Sequence, residues 1–206
     1  MTEKVSRRPV LLVHGYLAVP QLLFPMKHAL KRRGVQAHLA RMSLLCLGDV
    51  RDLARQVGDN VERVCRETGW DKIDVVGVSL GGFAALHYIR ELGGQERVRA
   101  FVAVASPFRG TWFALLGVAT LGAVSRGAWQ CLPTSPWVRE MTAGGAPAEV
   151  PTTSIALAHD AVAPMARCQL DGATQVDIGG LPHPWVHQSI GFDPRVVRAV
   201  VTALKD

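Results

Sequence analysis

The chain predicts an α/β fold, a mostly parallel sheet with helices on both faces, and three observations carry that expectation. Short segments that are apolar at nearly every position, such as "PVLLVHG", "IDVVGVS" and "VRAFVAVAS", recur along the sequence, and a strand without polar alternation is one buried on both faces. Stretches with apolar residues at helical spacing separate them, so strand and helix alternate. At 206 residues, 49% apolar and 19% charged, the chain has the size and composition of one domain with a single substantial core, spanning residues 1–206.

Taken in order, "PVLLVHG" is the first strand and "VPQLLFPMKHALKRRG" a helix stopped by glycine. "VQAHLAR" is a short strand. Residues 49–67 set Val50, Leu53, Ala54, Val57, Val61, Val64 and Cys65 on one helical face. "IDVVGVS" is a strand that runs into a helix over residues 80–91, and "VRAFVAVAS", "TTSIALAH" and "ATQVDIGG" are further strands. In "DPRVVRAVVTALK", Asp193 caps a helix that starts at Pro194 and turns Val196, Val197, Val200, Val201 and Leu204 to one side. Residues 108–150 break the rhythm. They offer no clear strand, and hold "TWFALLGVATLGAV", three of the five tryptophans and a Gly/Pro-rich tail. A segment of this length between core strands is an insertion with its own task, a lid or cap, or it completes the core. Both accounts fit the residues.

The 23 basic and 17 acidic side chains give a net charge of +6, a balance that favours anionic partners. The basic residues stand in short scattered clusters (Arg7-Arg8, Lys31-Arg32-Arg33, Arg195, Arg198) without interleaved aromatics, the pattern of solvated faces rather than of a nucleic-acid interface. No segment reaches the roughly 18–20 apolar residues that span a bilayer. "MTEKVSRRPVLLVHG" lacks the apolar core and cleavage site of a secretory signal, so a cytoplasmic location is the default expectation. The four cysteines show no C-x-x-C spacing, which argues against zinc or a redox pair. They read as reduced thiols, with Cys131 and Cys168 the first pairing to expect if the chain were a processed, exported form.

One serine sits where "IDVVGVS" gives way to helix, inside Gly77-Val78-Ser79-Leu80-Gly81. Such a serine can serve simply as a helix N-cap. G-x-S-x-G between a strand and a helix is also what a nucleophile elbow requires, a sharp turn that lifts the hydroxyl out of the sheet while small neighbours let strand and helix approach. No G-x-G-x-x-G or Gly-Lys-Ser/Thr is present to cradle a phosphate. A nucleophilic serine needs a base, an orienting acid and oxyanion donors, and in an open α/β sheet these come from the carboxyl ends of strands. Those ends carry "VHGYLA", with His14, Gly15 and Tyr16; "HDAVAP", with Asp160; and "GGLPHPWVHQSIGFDPRV", with His183 and His187. The chain order is Ser, Asp, His. Asp171 and Asp177 are rivals for the acid, one in a turn before its strand and one within it. His183 and His187 form H-x-x-x-H, but the proline after the first and the lack of a glutamate argue against a helical zinc site. His14 and His159 read as structural, buried imidazoles that satisfy nearby backbone groups. His28, His38 and His87 show only surface or helix-face placement.

From residue 9 to residue 204 the chain resembles a small bacterial lipase or esterase of the α/β-hydrolase superfamily. "PVLLVHGY" is similar to that family's first strand and oxyanion loop, and "VVGVSLGG" to its elbow. "ASPFRGT" at residues 105–111 is similar to the motif after the next strand, and "QCLPTSPWVREM" to a lid-region stretch. "HDAVAP" is similar to the acid-bearing turn, and "HQSIGFDPRVVRAV" to the histidine loop and last helix. The histidine loop departs from the pattern in its prolines and its second histidine, and the family's secreted members begin with a signal peptide that is not seen here. The resemblance implies an α/β-hydrolase fold with residues 108–150 as a lid. It implies Ser79 as nucleophile, Asp160 as orienting acid, and His187 rather than His183 as base, because the family's base precedes the Asp-Pro of the last helix by about six residues. Backbone N–H groups of Tyr16 and Leu80 would bind the oxyanion, and Leu17, Trp112, Phe113 and Trp185 the substrate. The implied reaction is two-step acyl transfer from a small-molecule ester or lipid to water, with no metal or organic cofactor. The apolar lid would make transient contact with a lipid surface. Acyl transfer to another acceptor, thioester or amide cleavage, and a non-catalytic binding protein on the same fold are the alternatives.

Overall fold

The computed structural model describes residues 8–180 and 185–205. Six strands form one sheet: β1 (Val10–Val13), β2 (Ala37–Leu39), β3 (Ile73–Val78), β4 (Val98–Val104), β5 (Thr152–Leu157) and β6 (Thr174–Ile178). Their order is β2-β1-β3-β4-β5-β6 and every pairing is parallel. The chain starts near one edge, returns across β1 to β3, and then moves outward strand by strand. All carboxyl ends therefore lie along one rim, with the reversal between β1 and β3 near its middle.

β1 (Val10–Val13), β3 and β4 read as nearly unbroken apolar runs because neighbouring residues serve different cores. Leu11, Val13, Val75, Phe101 and Ala103 pack on one face beneath α2 (Val50–Thr68) and α3 (Leu80–Glu91). Val10, Leu12, Val76, Val102 and Val104 pack on the other against α1 (Phe24–Lys31) and α7 (Pro194–Ala203). The expected parallel sheet covered on both faces is thus the observed one. All seven apolar residues expected on the inner face of α2 are buried, and Asn60 joins them, its amide bonded to Gln56 and Arg41. Asp49 caps α2 by accepting from the Arg51 N–H, and Asp193 caps α7 by accepting from Arg195. The helix expected from residue 19 is shorter than its apolar run suggests. Residues Pro20–Leu23 form a 3-10 turn, and α1 opens only at Phe24, with Pro25 in its first turn where its missing N–H costs nothing.

Residues 108–150 hold three short helices, α4 (Ala114–Leu121), α5 (Arg126–Gln130) and α6 (Pro136–Thr142). Their environments differ. Trp137, Val138 and Met141 of α6 are buried in the main core, where Trp137 and Phe108 both pack on Phe83, with ring centroids 5.5 and 5.3 Å away. In α4 only Gly117 is buried, while Leu115 and Leu116 are about half exposed.

Among the described residues no helix is long and apolar enough to cross a membrane. All four cysteines are free and buried, so Cys131 and Cys168 are not paired. Burial pushes the thiols of Cys46 and Cys131 up to about 12, and those of Cys65 and Cys168 upward as well. Because thiolate is the reactive form, the native protein is expected to react negligibly with Ellman's reagent, and the unfolded chain with four equivalents. A fast equivalent before unfolding would contradict this burial.

Candidate active site

Strained backbone gathers on the rim. Leu17, Ser79, Ala105 and His159, none of them glycine, follow β1, β3, β4 and β5 with φ of 50°, 55°, 46° and 61°. Positive φ in such residues is sparsely populated and persists where surrounding structure enforces it. At Ser79 the enforcement is visible. Its N–H donates to Val104 O of β4 at 2.9 Å, and the glycines beside it allow the helix to sit against the sheet. A Cβ on Gly77 would lie 2.6 Å from Gly82 Cα, and one on Gly81 2.5 Å from Val13 O. The hydroxyl makes no capping bond to α3. It points instead to a histidine.

That histidine is His187, whose Nε2 is 3.0 Å from Ser79 Oγ. Its Nδ1 lies 2.8 Å from Asp160 Oδ2. An ionised carboxylate only accepts, so Nδ1 carries the proton and donates to Asp160, and Nε2 is left to accept from the serine hydroxyl. Asp160 is held in turn by the N–H groups of Val162 and Ala163, both donating to Oδ1 at 2.9 Å. The carboxylate side chain is completely buried and the imidazole mostly so. The structure thus brings together the three side chains expected to act, from positions 79, 160 and 187. Asp171 and Asp177 stand elsewhere, and His183 lies outside the described residues.

Opposite Ser79, β1 ends in a close approach that only glycine permits. A Cβ on Gly15 would be 2.8 Å from Ser79 Cβ and 3.0 Å from Leu80 N. The contact sets the next residue, Tyr16, beside the start of α3. Among the described residues neither the Tyr16 nor the Leu80 N–H donates to any acceptor. The loop is fixed from behind, Leu17 N–H donating to Leu45 O at 2.8 Å. His14 is buried and its Nδ1 lies 3.2 Å from Gly15 O. Burial holds its pKa below the ordinary imidazole range, so the neutral ring props the loop. His159, expected to be buried in the same way, is exposed: its left-handed backbone turns the imidazole outward as the chain swings into Asp160.

These groups open into a cavity of about 470 Å³ with largely apolar walls. Tyr16, Leu17, Leu80 and Phe113 line it, together with Leu22, Leu23, Leu116, Ala128, Val162 and Ile190. Trp112 and Trp185 do not line it and are 54% and 66% exposed. For Trp112 the cause is local. Thr111 Oγ1 donates to Val162 O at 2.6 Å and accepts from the Phe113 N–H at 3.2 Å, so residues 111 and 113 turn inward and 112 outward. In the histidine loop it is Val186, not Trp185, that enters the core. The missed wall residues Leu22, Leu23 and Ile190 sit in 3-10 turns on the rim. Their placement after strand ends is the signal that could have found them.

The model of a family described as the alpha/beta hydrolase fold matches residues 8–124. Among solved structures, the mature form of a Bacillus licheniformis lipase superposes with a TM-score of 0.81 at 16% identity, over 97% of this chain and 93% of that one. Aspergillus fumigatus lipase B gives a TM-score of 0.74 at 18% identity, over 97% of this chain and 53% of that one. A thermophilic esterase of Thermogutta terrifontis gives 0.64 at 15%, over 97% and 91%. At these identities the likeness is one of fold. No curated protein sequence matches significantly.

Proposed function

Because this chain belongs to the alpha/beta hydrolase fold family, we propose that it is a serine hydrolase that cleaves carboxylic esters of apolar acids through an acyl-enzyme. The observation that carries this reading is the unbroken hydrogen-bond chain Ser79–His187–Asp160 at the edge of an apolar cavity. His187 Nε2 takes the Ser79 proton as Oγ attacks the ester carbonyl. Asp160 holds the ring in the tautomer that can accept it and stabilises the imidazolium that forms. The N–H groups of Tyr16 and Leu80, unpaired among the described residues, receive the oxyanion, each worth roughly 2.7–4 kcal/mol in such sites. The tetrahedral intermediate collapses as His187 returns the proton to the departing alcohol, and water then repeats the sequence on the acyl-serine.

In this reading residues 108–150 work in two parts. The segment around α6 completes the core, and α4 with its flanks is the lid: Phe113, Leu116 and Gly117 line the cavity, while Trp112, Leu115 and, on α5, Trp129 face outward about half exposed. An apolar surface of this kind suits transient contact with a lipid interface. Lipases and esterases are among the chains that share the fold.

A fluorophosphonate probe tests the reading. It is expected to label the protein once, on the peptide containing Ser79, and labelling should be blocked by a p-nitrophenyl ester that the protein turns over. The acyl series should favour alkyl chains that fill the cavity over acetate. Labelling at another residue, or turnover of thioesters or amides without esters, would overturn it.

A further inference from the structure

Gly117 lies in the interior of α4 with no positive φ. Alanine is the better helix former there, so glycine needs a packing reason. A Cβ at this position would stand 3.1 Å from the hydroxyl oxygen of Tyr16, 3.4 Å from its ring and 3.1 Å from Ala128 Cβ of α5. The two 3.1 Å separations are tighter than ordinary non-bonded contact, so the neighbours would have to give by a few tenths of an ångström. The missing side chain lets α4 settle directly onto the tip of the Tyr16 ring. The hydroxyl is buried and has no hydrogen-bond partner among the described residues, so packing against α4, not a polar contact, holds this end of the residue. The other end is the N–H next to Gly15, the oxyanion donor of the mechanism proposed above.

We propose that Gly117 is a positioning residue for the oxyanion site: through the rigid phenol of Tyr16, the seat of α4 sets where the Tyr16 N–H stands over Ser79, so the lid helix and the oxyanion donor shift together. The proposal rests on the reading of Tyr16 as an oxyanion donor. A side chain at 117 would press on the hydroxyl and rotate or lift the residue by a few tenths of an ångström, enough to misalign a donor that must meet a developing charge.

The test is Gly117→Ala, Tyr16→Phe and the double variant, measured on p-nitrophenyl acetate, whose acyl group is too short to need the cavity. Gly117→Ala is expected to lower kcat roughly three- to tenfold with KM little changed, and to weaken inhibition by an alkyl boronic acid, whose tetrahedral adduct uses the oxyanion donors, by a similar factor. Tyr16→Phe removes one of the two atoms 3.1 Å from the new methyl, the one that links it to the donor, so the double variant should return to within about twofold of Tyr16→Phe alone. An unchanged kcat in Gly117→Ala would overturn the proposal. So would a loss that Tyr16→Phe leaves in place, or one confined to long-chain esters, which would make Gly117 a wall of the cavity only. Turnover that survives Ser79→Ala would overturn the hydrolase reading and this one with it, whereas serine-dependent turnover with wild-type kcat in Gly117→Ala would overturn this one alone.

Discussion

Ser79→Ala is expected to lower p-nitrophenyl ester turnover by about 10⁶-fold while the protein stays folded. The size follows from the way a serine, its base and its acid act as a unit: without the nucleophile, only the oxyanion donors and the cavity remain, and they retain a small acceleration over water. The same substitution separates the two roles open to this residue. As an N-cap, Ser79 would stabilise α3 by about 1 kcal/mol, and alanine would lose that. Yet α3 begins without a side-chain capping bond, and the hydroxyl is 3.0 Å from His187 Nε2. Alanine must occupy the same positive φ and bears the same strain, so the melting temperature should change little. A variant that melts clearly lower and hydrolyses esters at the wild-type rate would restore the capping role and remove the catalytic one.

How much of this was legible beforehand differs by kind of residue. The inner strands were, because a parallel sheet covered on both faces makes them apolar at successive positions, and Val75 and Val76 serve different cores. The elbow was, because its geometry demands glycines at fixed offsets from the serine: a Cβ on Gly77 or Gly81 would collide with backbone. The choice of His187 over His183 came from the resemblance, with the prolines on either side of His183 as the one local argument. The inward and outward faces of residues 108–150 were not legible. α4 is apolar around its whole circumference, so its sequence carries no periodicity that marks one side for the cavity. Tryptophans drew the eye to positions 112 and 185, but whether a side chain faces in or out there is decided by Thr111 bonding to Val162 and by Val186 entering the core. Such contacts join segments some fifty residues apart, and they leave no local trace.

Asp160→Asn is expected to lower kcat by about 10⁴-fold with the fold intact, and the reason is a division of labour between the two carboxylate oxygens. Oδ1 accepts from Val162 and Ala163 and so shapes the turn after β5; Oδ2 accepts from His187 Nδ1. An asparagine can keep its carbonyl oxygen at the first position and satisfy both N–H groups. Its amide nitrogen then occupies the second and donates, where the aspartate accepted. His187 Nδ1 must present a lone pair, its proton moves to Nε2, and the nitrogen facing Ser79 can no longer take the hydroxyl proton. Asp160→Ala separates the oxygens by a second route. It removes the acceptor for both turn N–H groups, which are buried or partly buried, and is expected to destabilise the protein by about 1–3 kcal/mol for each group left unpaired. Chemical denaturation should therefore rank wild type and Asp160→Asn close together and Asp160→Ala well below, while both variants are nearly inactive. If Asp160→Asn kept a kcat within tenfold of wild type, the carboxylate would be a structural acceptor for the turn alone, and His187 would owe its tautomer to something else.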